Sequence, residues 1–214
     1  MKKKSAVVVF SVVLTLLLVS CGQKYPKLSG EAAWTALENA HSLYIKGDID
    51  HVNVVSDLRA DDHIVGKVKE SGIIDNRMYV VIDGEKQFYY KYETSGEIMN
   101  RDDIGTTYGY YDMSDNCLGY MQLRFVNGAA IFFFLNPDET PKRYYMDENI
   151  TTFYNENGVP IATAERVLDN IFTHKFHIEI ISLDSGIKID YIDKLAVCWS
   201  AIYEIGREHR YLTR

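Results

Sequence analysis

Apolar residues along this chain follow three patterns, and each pattern predicts a different structure. One continuous apolar run covers residues 6–19. Between residues 49 and 189, apolar and aromatic residues form short runs separated by turn residues, as in antiparallel β-strands. Residues 195–203 are apolar nearly all round, which indicates a helix buried on every side. The sequence therefore predicts a mainly β (α+β) fold: an antiparallel curved sheet or barrel with a buried C-terminal helix.

An amphipathic helix is predicted before the first strand. Ser29 is a suitable N-cap, and Gly47 is expected to end the helix. The apolar stripe consists of residues at helical spacing: Trp34, Leu37, His41 and Tyr44. We expect His41 to be a packed histidine rather than a metal ligand.

Eleven short segments are candidate strands. They are residues 52–56, 64–69, 78–82, 86–92, 108–112, 118–125, 130–135, 143–146, 151–154, 160–164 and 176–182. Asp83-Gly84, Asn127-Gly128 and Asn157-Gly158 separate some of them, and such pairs favour tight hairpins because both residues tolerate positive φ. Strands joined by such short turns must be antiparallel.

The first 23 residues have the organisation of a signal peptide. Three lysines precede the apolar run, whose 14 residues are fewer than the roughly 20 that span a bilayer. The run ends in Leu18-Val19-Ser20-Cys21, which resembles the lipobox of bacterial lipoproteins. The resemblance implies lipidation of the Cys21 thiol, cleavage before Cys21 and acylation of the new amino group.

This reading divides the chain into three parts and predicts its location. Residues 1–20 are the cleaved signal peptide, residues 21–28 a lipidated tether, and residues 29–214 a single β-rich domain. The domain is expected at the extracytoplasmic face of the cell membrane, held there by acyl chains. One acyl chain anchors weakly, whereas two or three anchor stably.

The charge balance argues against two classes of partner. The chain has 23 Lys and Arg against 30 Asp and Glu; three of those lysines lie in the signal peptide, so the mature part carries a net charge of about −10. Nucleic-acid binding depends on neutralising phosphates and is disfavoured. A polybasic membrane-surface patch is disfavoured for the same reason.

No motif in the sequence identifies a reaction. No Gly-x-Ser-x-Gly elbow is present. Cys117 and Cys198 could form a disulfide, but two buried free thiols are the favoured interpretation. His174 and His177 would point to opposite faces of a strand, and Asp112 opens a segment that lacks the glycine and glutamate of a calcium loop. We therefore predict no catalytic residue, no metal ligand and no cofactor.

Tyrosine is the most unusual feature of the composition, with 16 residues. Tyr90, Tyr92 and Tyr110 are the candidate ligand-binding residues, on an aromatic face for a glycan, peptide or lipid headgroup. Packing is the alternative interpretation, because tyrosine suits half-buried sheet surfaces.

Two family resemblances bear on function. The strand, turn and acid-led apolar helix near the C-terminus resemble the tubby C-terminal-like superfamily, which includes LURP-one-related proteins and scramblases. The resemblance implies a barrel wrapped around that helix. The part between Trp34 and Tyr92 instead resembles lipoprotein carriers of the LolA and LppX kind. The predicted function is a non-enzymatic binding or support protein with a protein, glycan or lipid ligand; the alternative is a carrier of acyl chains.

Overall fold

Apolar residues alternate along the strands, so their inward side chains meet in one core. A computed structural model describes residues 25–48, 55–70, 77–93, 104–170, 175–183 and 186–212. The predicted signal peptide, Cys21, His174 and the start of the first candidate strand lie outside the described residues.

Twelve strands and two helices make up the described fold. In chain order, α1 is Gly30–Asn39, the strands β1 to β12 are Ser42–Asp48, Val55–Ala60, His63–Glu70, Arg77–Ile82, Glu85–Glu93, Ile104–Asp112, Cys117–Val126, Ala129–Leu135, Pro141–Asp147, Thr152–Asn155, Pro160–Asn170 and Lys175–Ser182, and α2 is Tyr191–Leu212. Each strand pairs antiparallel with the next, and β12 pairs with β1, which closes the barrel. The predicted mainly β fold with an N-terminal and a buried C-terminal helix is confirmed.

Positive backbone φ angles close the predicted hairpins. Asp83 and Gly84 have φ of 54° and 86°, and Asn127 and Gly128 have φ of 52° and 82°. Positive φ at both central residues matches the right-handed twist of the flanking strands. These turns fix the register in which consecutive strands pair.

The barrel is filled by helix α2. Every residue from Asp193 to Ile202 is at most 6% exposed. The Trp199 ring stacks on Tyr90 at 6.2 Å and meets the Tyr108 ring edge-on at 4.9 Å. A helix that is apolar all round is thereby surrounded by the inward side chains of the sheet.

Helix α1 lies at the end of the barrel where α2 begins, which we call the proximal end; the opposite end is the distal end. Ala33 and Leu37 of α1 are buried. The Trp34 ring contacts Tyr191 edge-on at 6.4 Å. Trp34 and Leu37 of the predicted stripe therefore pack against the barrel and the start of α2. His41 follows the helix and is exposed, so the expectation of a packed histidine is wrong.

The N-terminal helix is shorter than the sequence analysis predicts. It ends at Asn39, and Tyr44 lies in strand β1 with its side chain on the outer face. The neighbouring Leu43 and Ile45 are fully buried in the core. Strand β1 gains partners on both sides, from β2 and β12, and this pairing overrides the helical spacing of the apolar residues.

Replacing Ala201 with lysine should unfold the domain. Ala201 is 2% exposed on α2, so the new ammonium group would be buried without a partner and lower the free energy of unfolding by about 4 kcal/mol or more. Ala32→Lys on the exposed side of α1 is the matched control, with an expected change within about 0.5 kcal/mol. Urea denaturation of both variants measures the difference, and equal stability would contradict the filled barrel.

Candidate functional sites

The three tyrosines predicted from the sequence occupy two different environments. Tyr90 and Tyr110 point into the barrel and are completely buried. The Tyr90 hydroxyl donates to the Ile192 carbonyl of α2 at 2.8 Å. Neither residue can therefore belong to an exposed aromatic face, because their rings pack against each other and against α2. Tyr92 is 37% exposed, at the distal end, with its ring 5.8 Å from Tyr108; its ligand role stays a prediction.

A buried polar cluster surrounds the first turn of α2. The Asp193 side chain is fully buried and its Oδ2 accepts from the Lys142 Nζ at 2.7 Å and the Tyr144 hydroxyl at 2.6 Å. Lys142 also donates to the exposed Asp190 at 2.7 Å. The cluster thus ties strand β9 to the start of α2.

Burial and charge shift the titration of this cluster. Burial raises the pKa of Asp193, although the neighbouring Lys142 opposes that change. Burial alone would lower the pKa of Lys142, but the charges of Asp193 and Asp190 outweigh it and the pKa is raised. The lysine is therefore held in its charged form beside the two carboxylates.

Two polar atoms at the centre of the cluster have no hydrogen-bond partner among the described residues. They are the Tyr110 hydroxyl and the Asp193 Oδ1, and both are buried. Burial, followed by the Asp193 charge, raises the pKa of Tyr110 well above its ordinary value. The hydroxyl consequently stays protonated next to the carboxylate.

Lys194 and Cys198 occupy the next positions of the helix core. The Lys194 Nζ donates to the Ala40 carbonyl at 3.0 Å and the Ser182 hydroxyl at 2.7 Å. Burial lowers the pKa of Lys194 and raises the pKa of the Cys198 thiol to about 12. Because the thiolate is the nucleophilic form, Cys198 is an inert core thiol.

The outer face of the sheet carries a different row of tyrosines. Tyr79, Tyr89 and Tyr111 pair directly across strands β4, β5 and β6. The Tyr89 and Tyr111 rings stack with their centroids 5.4 Å apart. We call these three residues the outer tyrosine row.

Cationic side chains lie over each ring of this row. Lys86 Nζ is 3.5 Å from the Tyr79 ring centroid, the Arg77 guanidinium 4.5 Å from Tyr89, and Lys91 Nζ 4.5 Å from Tyr111. Their aliphatic stems shield the rings while the charged groups reach water. Tyr79 and Tyr89 are consequently only 5% and 2% exposed although they point away from the core.

Carboxylates accept hydrogen bonds from two hydroxyls of the outer tyrosine row. Tyr89 donates to Asp115, and Tyr111 donates to Glu93. Burial, together with the bond to Asp115, raises the pKa of Tyr89 to about 12. Tyr111 folds over Gly109, where an added Cβ would lie 2.6 Å from the ring, so any other residue at this position would displace the end of the Tyr111 side chain.

A cavity of about 360 Å³ lies at the distal mouth of the barrel. Its apolar wall consists of inward-facing side chains that continue the core: Tyr108, Leu123, Phe132 and Ile150. Glu148 and Arg166 supply charges of opposite sign at its rim, and both are exposed. The cavity can therefore take a small ligand that has an apolar part and polar ends.

The remaining sequence candidates have structural roles in the described part of the chain. Asp112 accepts backbone N–H groups from Ser114 at 2.8 Å and Asn116 at 2.9 Å, which closes the β6–β7 turn. Hydrogen bonds from Asn116 lower the pKa of Asp112. His177 stacks on Tyr44 at 5.6 Å. Cys117 and Cys198 are free, as favoured, although Cys117 is only half-buried.

Within the described ranges, no group of three His, Cys, Asp or Glu side chains could hold a metal ion. No helix there is long and apolar enough to cross a bilayer.

Sequence reasoning found the tyrosine-rich strands but selected the wrong positions for the face. Alternation separates Tyr89 from Tyr90 and Tyr110 from Tyr111. Which set points outward depends on the core that the strands enclose. The lysines and arginines in the same strands were the available signal for the outward face, because a charged side chain marks the side of the strand that points away from the core.

Comparisons with known proteins returned no relative: no family model, no curated protein and no solved structure matches the chain.

Replacing Asp193 with asparagine should destabilise the fold by about 3 kcal/mol, because removing one partner of a buried ion pair leaves a poorly compensated charge. Asp190→Asn is the matched control: it removes a carboxylate from the same lysine, but that side chain is 56% exposed, so the expected loss is below about 1 kcal/mol. Chemical denaturation of both variants tests this. Equal losses would show that burial of Asp193 is not what matters.

Proposed function

We propose that this protein is a non-enzymatic, lipid-anchored protein of the extracytoplasmic membrane face that binds or supports a ligand through the outside or mouth of its barrel. The observation that carries this proposal is the filled interior: α2 residues 193–202 occupy the space that the strands enclose. Surface and mouth are then the parts of the barrel left for a ligand.

The filled interior also weighs against the carrier alternative. A carrier of acyl chains needs an apolar cavity that can hold a long chain. Here the inward side chains of the strands contact α2, as the rings of Tyr90 and Tyr108 contact Trp199. An acyl chain could enter only if α2 left the barrel, which would expose a helix without a polar face.

A non-catalytic role is supported by where the titratable groups lie. Asp193, Lys142 and Tyr144 form the most strongly interacting set of charges and hydroxyls, but Asp193 is fully buried and the Lys142 side chain is 9% exposed. A substrate has no access to the Asp193 carboxylate, which accepts hydrogen bonds from Lys142 and Tyr144. Their contacts hold α2 in place instead.

The distal mouth is the ligand site that we favour. The exposed Tyr92 lies beside Tyr108, and Tyr108 forms part of the apolar wall of the cavity. Aromatic surface next to a few polar groups is typical of small-molecule sites. Kinship with the tubby C-terminal-like superfamily is part of the proposal, supported by a closed barrel that surrounds a C-terminal helix.

Purified protein should carry no non-covalent lipid. We expect organic extraction of the full chain, followed by mass spectrometry, to release far less than one equivalent of lipid per protein, because α2 occupies the interior. The covalently attached acyl chains stay with the protein and serve as an internal reference. One equivalent of extractable lipid would favour the carrier.

Replacing Cys21 with alanine should abolish the lipid anchor that holds the protein on the membrane. The variant cannot form the thioether, so we expect loss of fatty-acid labelling and loss of the mature lipoprotein from the membrane fraction. Cys117→Ala is the matched control, since that residue lies in the barrel, and it should label as the unmodified chain does. Labelling that persists in Cys21→Ala would refute the anchor.

A further inference from the structure

Charges are distributed unevenly over the outside of the barrel. Among the described side chains that point outward from strands β1 to β5, seven are cationic and two are acidic. The cations are Lys46, Arg59, Lys67, Lys69, Arg77, Lys86 and Lys91, and the acids are Asp57 and Glu93. We call this surface the basic face. The net charge of the whole chain is −7, so the excess of cations on these described side chains is opposite in sign to the chain as a whole.

Pairing of the strands brings these cations together from distant parts of the sequence. Asp57 stands opposite both Lys46 and Lys67, and Arg77 stands opposite Lys91. The Lys91 ammonium is 3.1 Å from Glu93, whereas Lys67 and Lys69 are exposed. The basic face also contains the outer tyrosine row, whose rings lie beneath cationic groups.

The described chain begins at the edge of this same face. The Arg59 guanidinium lies between two rings, 3.9 Å from Tyr25 and 3.6 Å from Tyr44. The Ile64 N–H donates to the Pro26 carbonyl, and the Leu28 N–H donates to the Ile64 carbonyl, each at 2.9 Å. From Tyr25 onward the backbone is therefore held against strands β2 and β3.

Covalent geometry limits how far an anchor at Cys21 can be from this surface. Cys21 precedes Tyr25 by four residues, and four residues span at most about 14 Å. A barrel tethered so closely must turn one of its surfaces toward the bilayer. The surface beside the attachment point is the basic face.

We propose that the basic face is the membrane-contact surface and that it rests on anionic phospholipid headgroups. This inference rests on the proposed lipid anchor. Each cation near an anionic bilayer strengthens partitioning by about fivefold, and an acyl anchor with a cationic surface is a stable two-part attachment. Strands β8 and β9, half-way round the barrel from β3, then face away from the bilayer.

The test uses the full-length lipidated protein reconstituted in vesicles of phosphatidylcholine alone or with phosphatidylglycerol. A fluorophore is attached at one of two exposed positions, Asp57→Cys on the basic face or Arg143→Cys on β9, in a Cys117→Ser background. Nitroxide-labelled headgroups quench a probe that lies near the bilayer. We expect the probe at position 57, and not the probe at 143, to be quenched on anionic vesicles, and high salt to abolish the difference.

Charge reversal provides the matched control. Lys67→Glu with Lys69→Glu should shift the orientation ratio on anionic vesicles by about 25-fold or more. Lys188→Glu with Arg166→Glu changes the net charge equally, away from the basic face, and should leave the ratio nearly unchanged. Equal effects of both pairs would overturn the proposal.

Different results would contradict the lipid anchor and the membrane contact of the basic face. Flotation with neutral vesicles reports the lipid anchor, because no anionic headgroups are present. Flotation with equal quenching at both positions on anionic vesicles would overturn the basic face and leave the anchor intact. Failure to float with neutral vesicles, together with selective quenching at position 57 on anionic ones, would contradict the anchor and support the face.

Discussion

Mutual burial of the sheet and helix α2 is the constraint on which the rest of the structure depends. The helix residues from Leu195 to Cys198 are completely buried and have no polar face to turn toward water. The strands in turn need a partner for their inward aromatic and aliphatic side chains. Closing β12 onto β1 satisfies both requirements, and it also removes the unpaired edges that an open sheet would leave.

The polar cluster at the start of α2 shows how that constraint is made specific. Apolar contacts alone would tolerate a helix that slides or turns in the barrel. Asp193 bonded to Lys142 and Tyr144 specifies one depth and one rotation. The desolvation of these charges is costly, and their mutual bonds offset much of that cost. We therefore expect the cluster to contribute more to the uniqueness of the fold than to its stability.

Local pattern predicted most of the strands because each hairpin carries its own turn residues. Asp83-Gly84 and Asn127-Gly128 adopt the positive φ angles that their composition favours. The helical stripe through His41 and Tyr44 failed because Leu43 and Ile45, two residues apart, share one face of a strand and would lie on opposite sides of a helix. Long-range pairing with β2 and β12 decided in favour of a strand.

The sequence by itself determined the class of the fold, the buried C-terminal helix and the presence of tyrosine-rich strands, because alternation and turn chemistry are local properties. Only the tertiary structure decided which tyrosines face outward, because reversing the face of a strand leaves its alternation unchanged. It alone brought Lys142 to Asp193, 51 residues apart along the chain. It likewise placed seven cations on one face of an acidic protein, since cross-strand register, and not composition, determines which charges become neighbours.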